Sequence, residues 1–139
     1  MKMVSLTPKS NNLRPIAPTT ALNVRRAKIA LPTLEGYLFR PVASILYLRA
    51  EGNYTMIRFA NGSQELICKT LSHVQGMLSQ YPQFVRVHRS FTVNIERIDR
   101  YVRGKGGFVV MECGTEISVA NSKKIHLATA VEQYFGARL

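Results

Sequence analysis

Within residues 84–95, FVRVHRSFTVNI, one side chain is of the wrong type for its position, and it is an arginine. Val85, Val87, Phe91, Val93 and Ile95 take the odd positions, and Arg86, His88, Ser90, Thr92 and Asn94 the even ones. That two-residue period describes a half-buried strand with one apolar and one polar face. Arg89 falls on the apolar face, where an unpaired guanidinium would cost several kcal/mol, roughly the effective penalty for a desolvated ion. The spacing therefore predicts a break at His88–Ser90 that swings Arg89 outward at its tip. An arginine presented in this way has the forked donors to pair with a guanine edge or a phosphate. The alternative is a structural ion pair with an Asp or Glu elsewhere in the chain.

Three further polar segments bear on the same chemistry. In ANSKKI, Asn121 or Ser122 is expected to cap the last helix, with Lys123 and Lys124 in its first turn. Lysines there oppose the helix dipole, at about 0.3–1 kcal/mol each. The placement makes sense if an anion sits where free backbone N–H groups already point outward; otherwise it is a tolerated surface cost. Glu51-Gly52-Asn53 is a polar loop between two apolar strands, and alone says only turn. The glycines of Arg103-Gly104-Lys105-Gly106-Gly107 lack the spacing and the strand-to-helix context of a phosphate-binding loop. They read as a hairpin end, with Arg103 and Lys105 available to backbone phosphates. Taken together, the polar tips at 51–53, 88–90 and 120–124 on a basic β scaffold form a nucleic-acid surface.

Catalytic readings are thin. His73, His88 and His126 have no metal-ligand spacing with one another or with Cys68 and Cys113. Ser90, two residues after His88, cannot stand in for a triad, whose members meet through the fold and need an orienting acid. No catalytic residue, metal or cofactor is expected.

The elements that must position these tips follow from pattern. Lys28–Leu31, Tyr37–Phe39, Ala43–Leu48 and Tyr54–Phe59 read as strands, and Asn61-Gly62 as a hairpin turn leading into Gln64–Cys68. Thr70 caps a helix with Leu71, Val74, Leu78 and Tyr81 at helical spacing, stopped by Pro82 and weakened by Gly76. Ile98–Val102, Phe108–Glu112 and Glu116–Val119 complete the strands. A final helix over 122–135 is expected to turn Ile125, Ala128, Val131 and Phe135 inward. The fold class is mainly β with two short helices.

With 139 residues and 46% apolar side chains, the chain suits one globular domain. Residues 1–27 hold five basic groups, three prolines and no acid, and read as a disordered basic leader ahead of a domain over 28–139. The net charge is +11, and residues 28–139, with 14 basic and eight acidic groups, still carry +6. Such a basic balance is the footprint of a phosphate-rich partner. Two unpaired cysteines suit a reducing compartment. No run approaches a membrane span and Met1–Leu6 lacks the core of a secretory signal, so a cytoplasmic location is expected.

The runs ILYLRAEGNYTMIRFANG, KTLSHVQGMLSQYPQFVRVHRSFTVNIERI and GTEISVANSKK resemble the LytTR family of bacterial DNA-binding domains, over roughly residues 28–136. FVRVHRSFTVNIERI is the most specific element. The resemblance implies an elongated stack of small antiparallel sheets that meets successive major grooves of double-stranded DNA through three loop elements. By motif position these are Glu51–Asn53, His88–Arg89 and Ala120–Lys124. Arg89 is then the foremost base reader, with Asn53 and Asn121 as further base contacts. His88, Arg86, Arg103, Lys105, Ser122, Lys123 and Lys124 would meet phosphate. Family members commonly carry an arginine in the third element, where this chain has Ala120 followed by Asn121. Most relatives also carry a receiver or sensor domain, which residues 1–27 are too short to form. The expected function is that of a stand-alone transcriptional regulator, bound as a homodimer or in tandem on repeated sites and linked to a separate sensor protein. The rival reading is a non-catalytic regulator that acts mainly through such a protein partner. An RNA-binding role would call for aromatic stacking platforms, which the polar tips lack.

Overall fold

The computed structural model describes residues 27–136, so the expected leader lies outside the described residues except for Ala27. Three antiparallel sheets carry the fold. β1 (Lys28–Thr33) and β2 (Gly36–Pro41) form a hairpin. β3 (Ile45–Glu51), β4 (Tyr54–Phe59), β5 (Gln64–Ile67), β6 (Phe84–His88) and β7 (Phe91–Asn94) form a five-stranded sheet in the order β5-β4-β3-β7-β6. β8 (Ile98–Val102), β9 (Phe108–Met111) and β10 (Glu116–Ser118) make the third. Two helices, α1 (Leu71–Met77) and α2 (Lys124–Phe135), complete it. The Asn61-Gly62 turn forms as its residue types demand. Gly62 sits at φ 92°, and the Asn61 side chain accepts the Ser63 N–H at 2.9 Å.

The five-stranded sheet is a wall shared by two cores. Ile57 and Phe59 face one core, with Ile29 and Leu31 of β1 and with Leu71 and Val74 of α1. Met56 faces the other, with Val109, Met111 and Ile117 of the third sheet and Leu127 of α2. Strand alternation does this directly, since successive side chains leave opposite faces. In β3 a register shift between Ile45 and Tyr47 lets Leu46 and Tyr47 join the second core while Ile45 and Leu48 join the first. Each such side chain, fully buried, contributes about 1.5–3 kcal/mol of transfer free energy.

This wall corrects the half-buried reading of 84–95. Thr92 and Asn94, on the polar face by pattern, are 0% exposed. They stay inside because each is hydrogen-bonded: the Thr92 hydroxyl to Gln75 Oε1, and Asn94 Nδ2 to the Ile45 carbonyl at 2.9 Å. Asn94 Oδ1 also accepts the Glu96 N–H at 3.0 Å.

Thr70 caps α1 as expected, its hydroxyl accepting the His73 N–H at 3.2 Å. The helix is short, and Leu78 and Tyr81 are buried just beyond its end. Thr70→Ala is expected to cost about 1 kcal/mol, the typical loss of a helix cap, read as a lower urea midpoint at an unchanged slope.

In α2 the expected face holds for Val131 but not for Ile125 and Phe135. Ile125 is 82% and Phe135 53% exposed, while Leu127 is fully buried, with Ala130, Val131 and Tyr134 packed beside it. The physical reason is the side on which the helix docks: Leu127 enters the second core with Val109, Met111 and Ile117, which turns Ile125 and Phe135 away from it. A 3₁₀ turn over Asn121–Lys123 leads into the helix. Neither Asn121 nor Ser122 caps α2: its N-cap position is Lys123, which makes no side-chain capping bond. Among the described residues, no helix is long and apolar enough to cross a membrane.

Candidate nucleic-acid interface

The chain does break where Arg89 demanded it. β6 ends at His88, β7 begins at Phe91, and Arg89 and Ser90 form the turn between the two antiparallel strands. Arg89 is exposed and, among the described residues, its side chain makes no hydrogen bond or ion pair. Among the described residues, the structural ion pair considered from sequence does not form.

Three hydrogen bonds gather the other segments around this turn. On one side, β3 pairs with β7 and the Ala50 N–H donates to the Ser90 carbonyl at 2.8 Å, which sets the Glu51–Asn53 turn beside Ser90. On the other, the Val87 carbonyl on the outer edge of β6 accepts the Ala120 N–H at 2.8 Å, bringing Ala120–Lys124 alongside. Lys124 Nζ then donates to the Gly104 carbonyl at 2.7 Å and ties in the glycine loop. That loop is tightly seated: a Cβ on Gly107 would lie 3.0 Å from the Val102 carbonyl oxygen and 3.1 Å from that of Gly104. The order along the surface is therefore 51–53, 88–90, 120–124, 103–107.

The four segments hold Arg89, Arg103, Lys105, Lys123 and Lys124, while of the chain's eight acidic residues they hold only Glu51. Glu51 is partnered, its Oε2 accepting Arg49 Nε at 2.6 Å and lying 2.5 Å from Arg49 Nη2. This pair keeps the one acid from presenting an uncompensated charge. Arg49 was missed in the sequence, where its place within an apolar strand gave no sign that it reaches the tip. Lys69 was missed as well. It is exposed, and its carbonyl accepts the Thr55 hydroxyl at 2.8 Å, next to the start of β4. Only its charge marked it.

The remaining site residues divide by what they touch. Asn53, Asn121, Ser122, Arg103 and Lys105 are exposed, and Lys123 is half-buried. His88 Nδ1 accepts the Ser90 N–H at 3.1 Å, so the ring proton belongs on Nε2, free to donate. The ring also stands edge-on to Phe91, with centroids 6.0 Å apart. Arg86 turns inward: its Nε donates to the His88 carbonyl at 3.0 Å and its Nη2 to the Arg89 carbonyl at 2.5 Å. His73 and His126 are exposed on the helices. Among the described residues, no three His, Cys, Asp or Glu side chains come close enough to hold a metal ion.

Comparison with known proteins identifies the family and the fold. The model of the LytTr DNA-binding domain family matches residues 35–132. Among solved structures, the fold resembles the LytTr DNA-binding domain of a putative methyl-accepting/DNA response regulator from Bacillus cereus. The TM-score is 0.63 at 21% identity, over 76% of this chain and 96% of that one. No curated protein matches the chain. The family match spans most of the described residues and contains the first three of the clustered segments whole, and with them the fourth. The chain belongs to the LytTR family of DNA-binding domains, a family of transcription regulators.

Proposed function

We propose that this protein is a sequence-specific transcriptional regulator that enters the major groove of double-stranded DNA through its clustered loops. The observation that carries the reading is Arg89, an unpartnered guanidinium at the tip of a fixed turn, flanked on both sides by other polar segments. Its fork suits the O6 and N7 acceptors of guanine. Asn53 and Asn121 supply amides for neighbouring bases. His88, Ser122, Lys123, Lys124, Arg103 and Lys105 neutralise or hydrogen-bond phosphates, which positions the protein without specifying sequence. The four segments lie side by side, which supports occupation of successive grooves, by a homodimer or by tandem copies on repeated sites. The test is selection of bound sequences from a random duplex pool. An enriched imperfect repeat is expected, and recovery of no preferred sequence would overturn the reading.

The second reading, a regulator acting mainly through a protein such as a separate sensor, has one observation in its favour. Leu34, Tyr37 and Phe39, on and beside the β1–β2 hairpin, are 73%, 69% and 61% exposed. Three large apolar side chains in one short stretch suit a protein contact.

Lys123 provides a sharper check on the division between phosphate and base contacts. Lys123→Ala should weaken preferred and random duplexes about equally and lower the salt slope by about one. Because Lys123 holds the N-cap position of α2 without a side-chain capping bond, the free protein should be unchanged or stabilised by roughly 0.3–1 kcal/mol. A loss confined to the preferred duplex would make Lys123 a base-reading residue instead.

A further inference from the structure

We infer that Arg86 is a positioning residue, which fixes the turn from which Arg89 approaches the DNA. The inference rests on the base-reading role proposed for Arg89, and assigns Arg86 a task other than the phosphate contact its charge suggests.

The turn's backbone groups are held by specific partners. The His88 carbonyl and the Arg89 carbonyl both accept from the Arg86 guanidinium, through Nε at 3.0 Å and Nη2 at 2.5 Å. The Ser90 N–H donates to His88 Nδ1, and the Ser90 carbonyl accepts from Ala50. One residue before the turn, the Val87 carbonyl accepts from Ala120. Each of these groups would otherwise be hydrated and free to reorient. With them engaged, the backbone at Arg89 is held from the sheet side, the 120–124 side and from beneath.

Arg86 itself is half-buried, with two of its five donors directed at the turn. A guanidinium is suited to this because its donors are planar and rigidly spaced, so it bridges two carbonyls in one geometry. A lysine is a point charge on a flexible stem and cannot hold both at fixed spacing. A base-reading group must be kept within about 0.5 Å of its productive position by a surrounding shell of packed and hydrogen-bonded residues. Arg86 is that shell for Arg89. It also explains why an arginine, rather than any polar residue, stands three positions before the reading arginine.

The test uses Arg86→Lys and Arg86→Met in the full chain, each alone and combined with Arg89→Ala. Affinity would be measured for the preferred duplex and for one altered at the base pair that Arg89→Ala relaxes, across a salt series and beside thermal melting. Arg86→Lys is expected to reduce discrimination at that base pair by about tenfold, within the range that an arginine–guanine fork supplies, while leaving the salt slope unchanged. In the Arg89→Ala background it should cause no further loss of discrimination. Equal weakening of matched and altered duplexes in both backgrounds, with a slope lower by about one for Arg86→Met, would make Arg86 a phosphate contact and overturn the proposal. If Arg86→Met fails to fold, Arg86→Lys, which keeps the stem and the charge, decides. If neither folds, Arg86 belongs to the core structure and the positioning role is refuted. A wild type that discriminates nowhere refutes the base-reading role of Arg89 as well, whereas a discriminating wild type with an unaltered Arg86→Lys refutes the positioning role alone.

Discussion

Raising salt from 50 to 200 mM should weaken duplex binding by roughly 10³–10⁵-fold, the range expected when six to ten phosphates are neutralised. The surface itself supplies the lower figure. Arg103, Lys105, Lys123 and Lys124, with Lys69 beside the first loop, are five cations besides the base-reading Arg89. At about 0.9 counterions released per phosphate contact, five contacts give a fall approaching roughly 10³ over this fourfold change in salt. Residues 1–25 add Lys2, Lys9, Arg14 and Arg25. If these also meet phosphate, the fall approaches roughly 10⁵. Titrations of the full chain and of a chain lacking residues 1–25 would separate the two contributions. The shortened chain should bind all duplexes more weakly, keep the same preferred sequence and show the shallower slope. Binding almost indifferent to salt would remove the case for a DNA surface and favour the protein-partner reading.

Arg89→Ala should cost about 1–3 kcal/mol on the preferred duplex, mainly by relaxing discrimination at one base pair. The free protein should melt as the wild type does, because the Arg89 side chain is exposed and bonds to nothing among the described residues. The turn itself is held through carbonyls and N–H groups that alanine retains. The measurement is binding to matched and singly mismatched duplexes, beside a melting curve. Weakening of every duplex by the same factor would make Arg89 a phosphate contact, and loss of folding would make it a structural residue.

The break at residues 88–90 was legible because a guanidinium on an apolar face is physically costly wherever the strand lies. The strand set was legible for a similar reason: alternation, Asn61-Gly62 and the Thr70 cap are local signals that the residues carry with them. What stayed hidden was set by distant partners. Thr92 and Asn94 look like a solvent face until Gln75 and the Ile45 carbonyl, 17 and 49 residues away, take up their hydrogen bonds. Arg86 looks like one more surface cation, since nothing in its spacing says that its donors curl back onto the turn. The phase of α2 was misread because Ile125 and Phe135 offer an apolar stripe as regular as that of Leu127, Val131 and Tyr134. Only the core against which the helix packs, with Val109, Met111 and Ile117, decides between them.

The strand order β5-β4-β3-β7-β6 also has a consequence for how the chain is made. β3, β4 and β5 follow one another in sequence and can pair as soon as they leave the ribosome. The other edge of β3, ILYLRAE, must wait until residues 91–94 have been synthesised. At about 5–20 residues per second, that interval lasts several seconds. Throughout it, an apolar strand stands with its N–H and C=O groups unmatched, a ready template for pairing with another nascent chain. Arg49 and Glu51, at the far end of that strand, put charge on the otherwise apolar edge. A ribosome stalled before residue 91 would leave that edge open for as long as the stall lasts, so in this topology the pace of translation bears on solubility as directly as composition does.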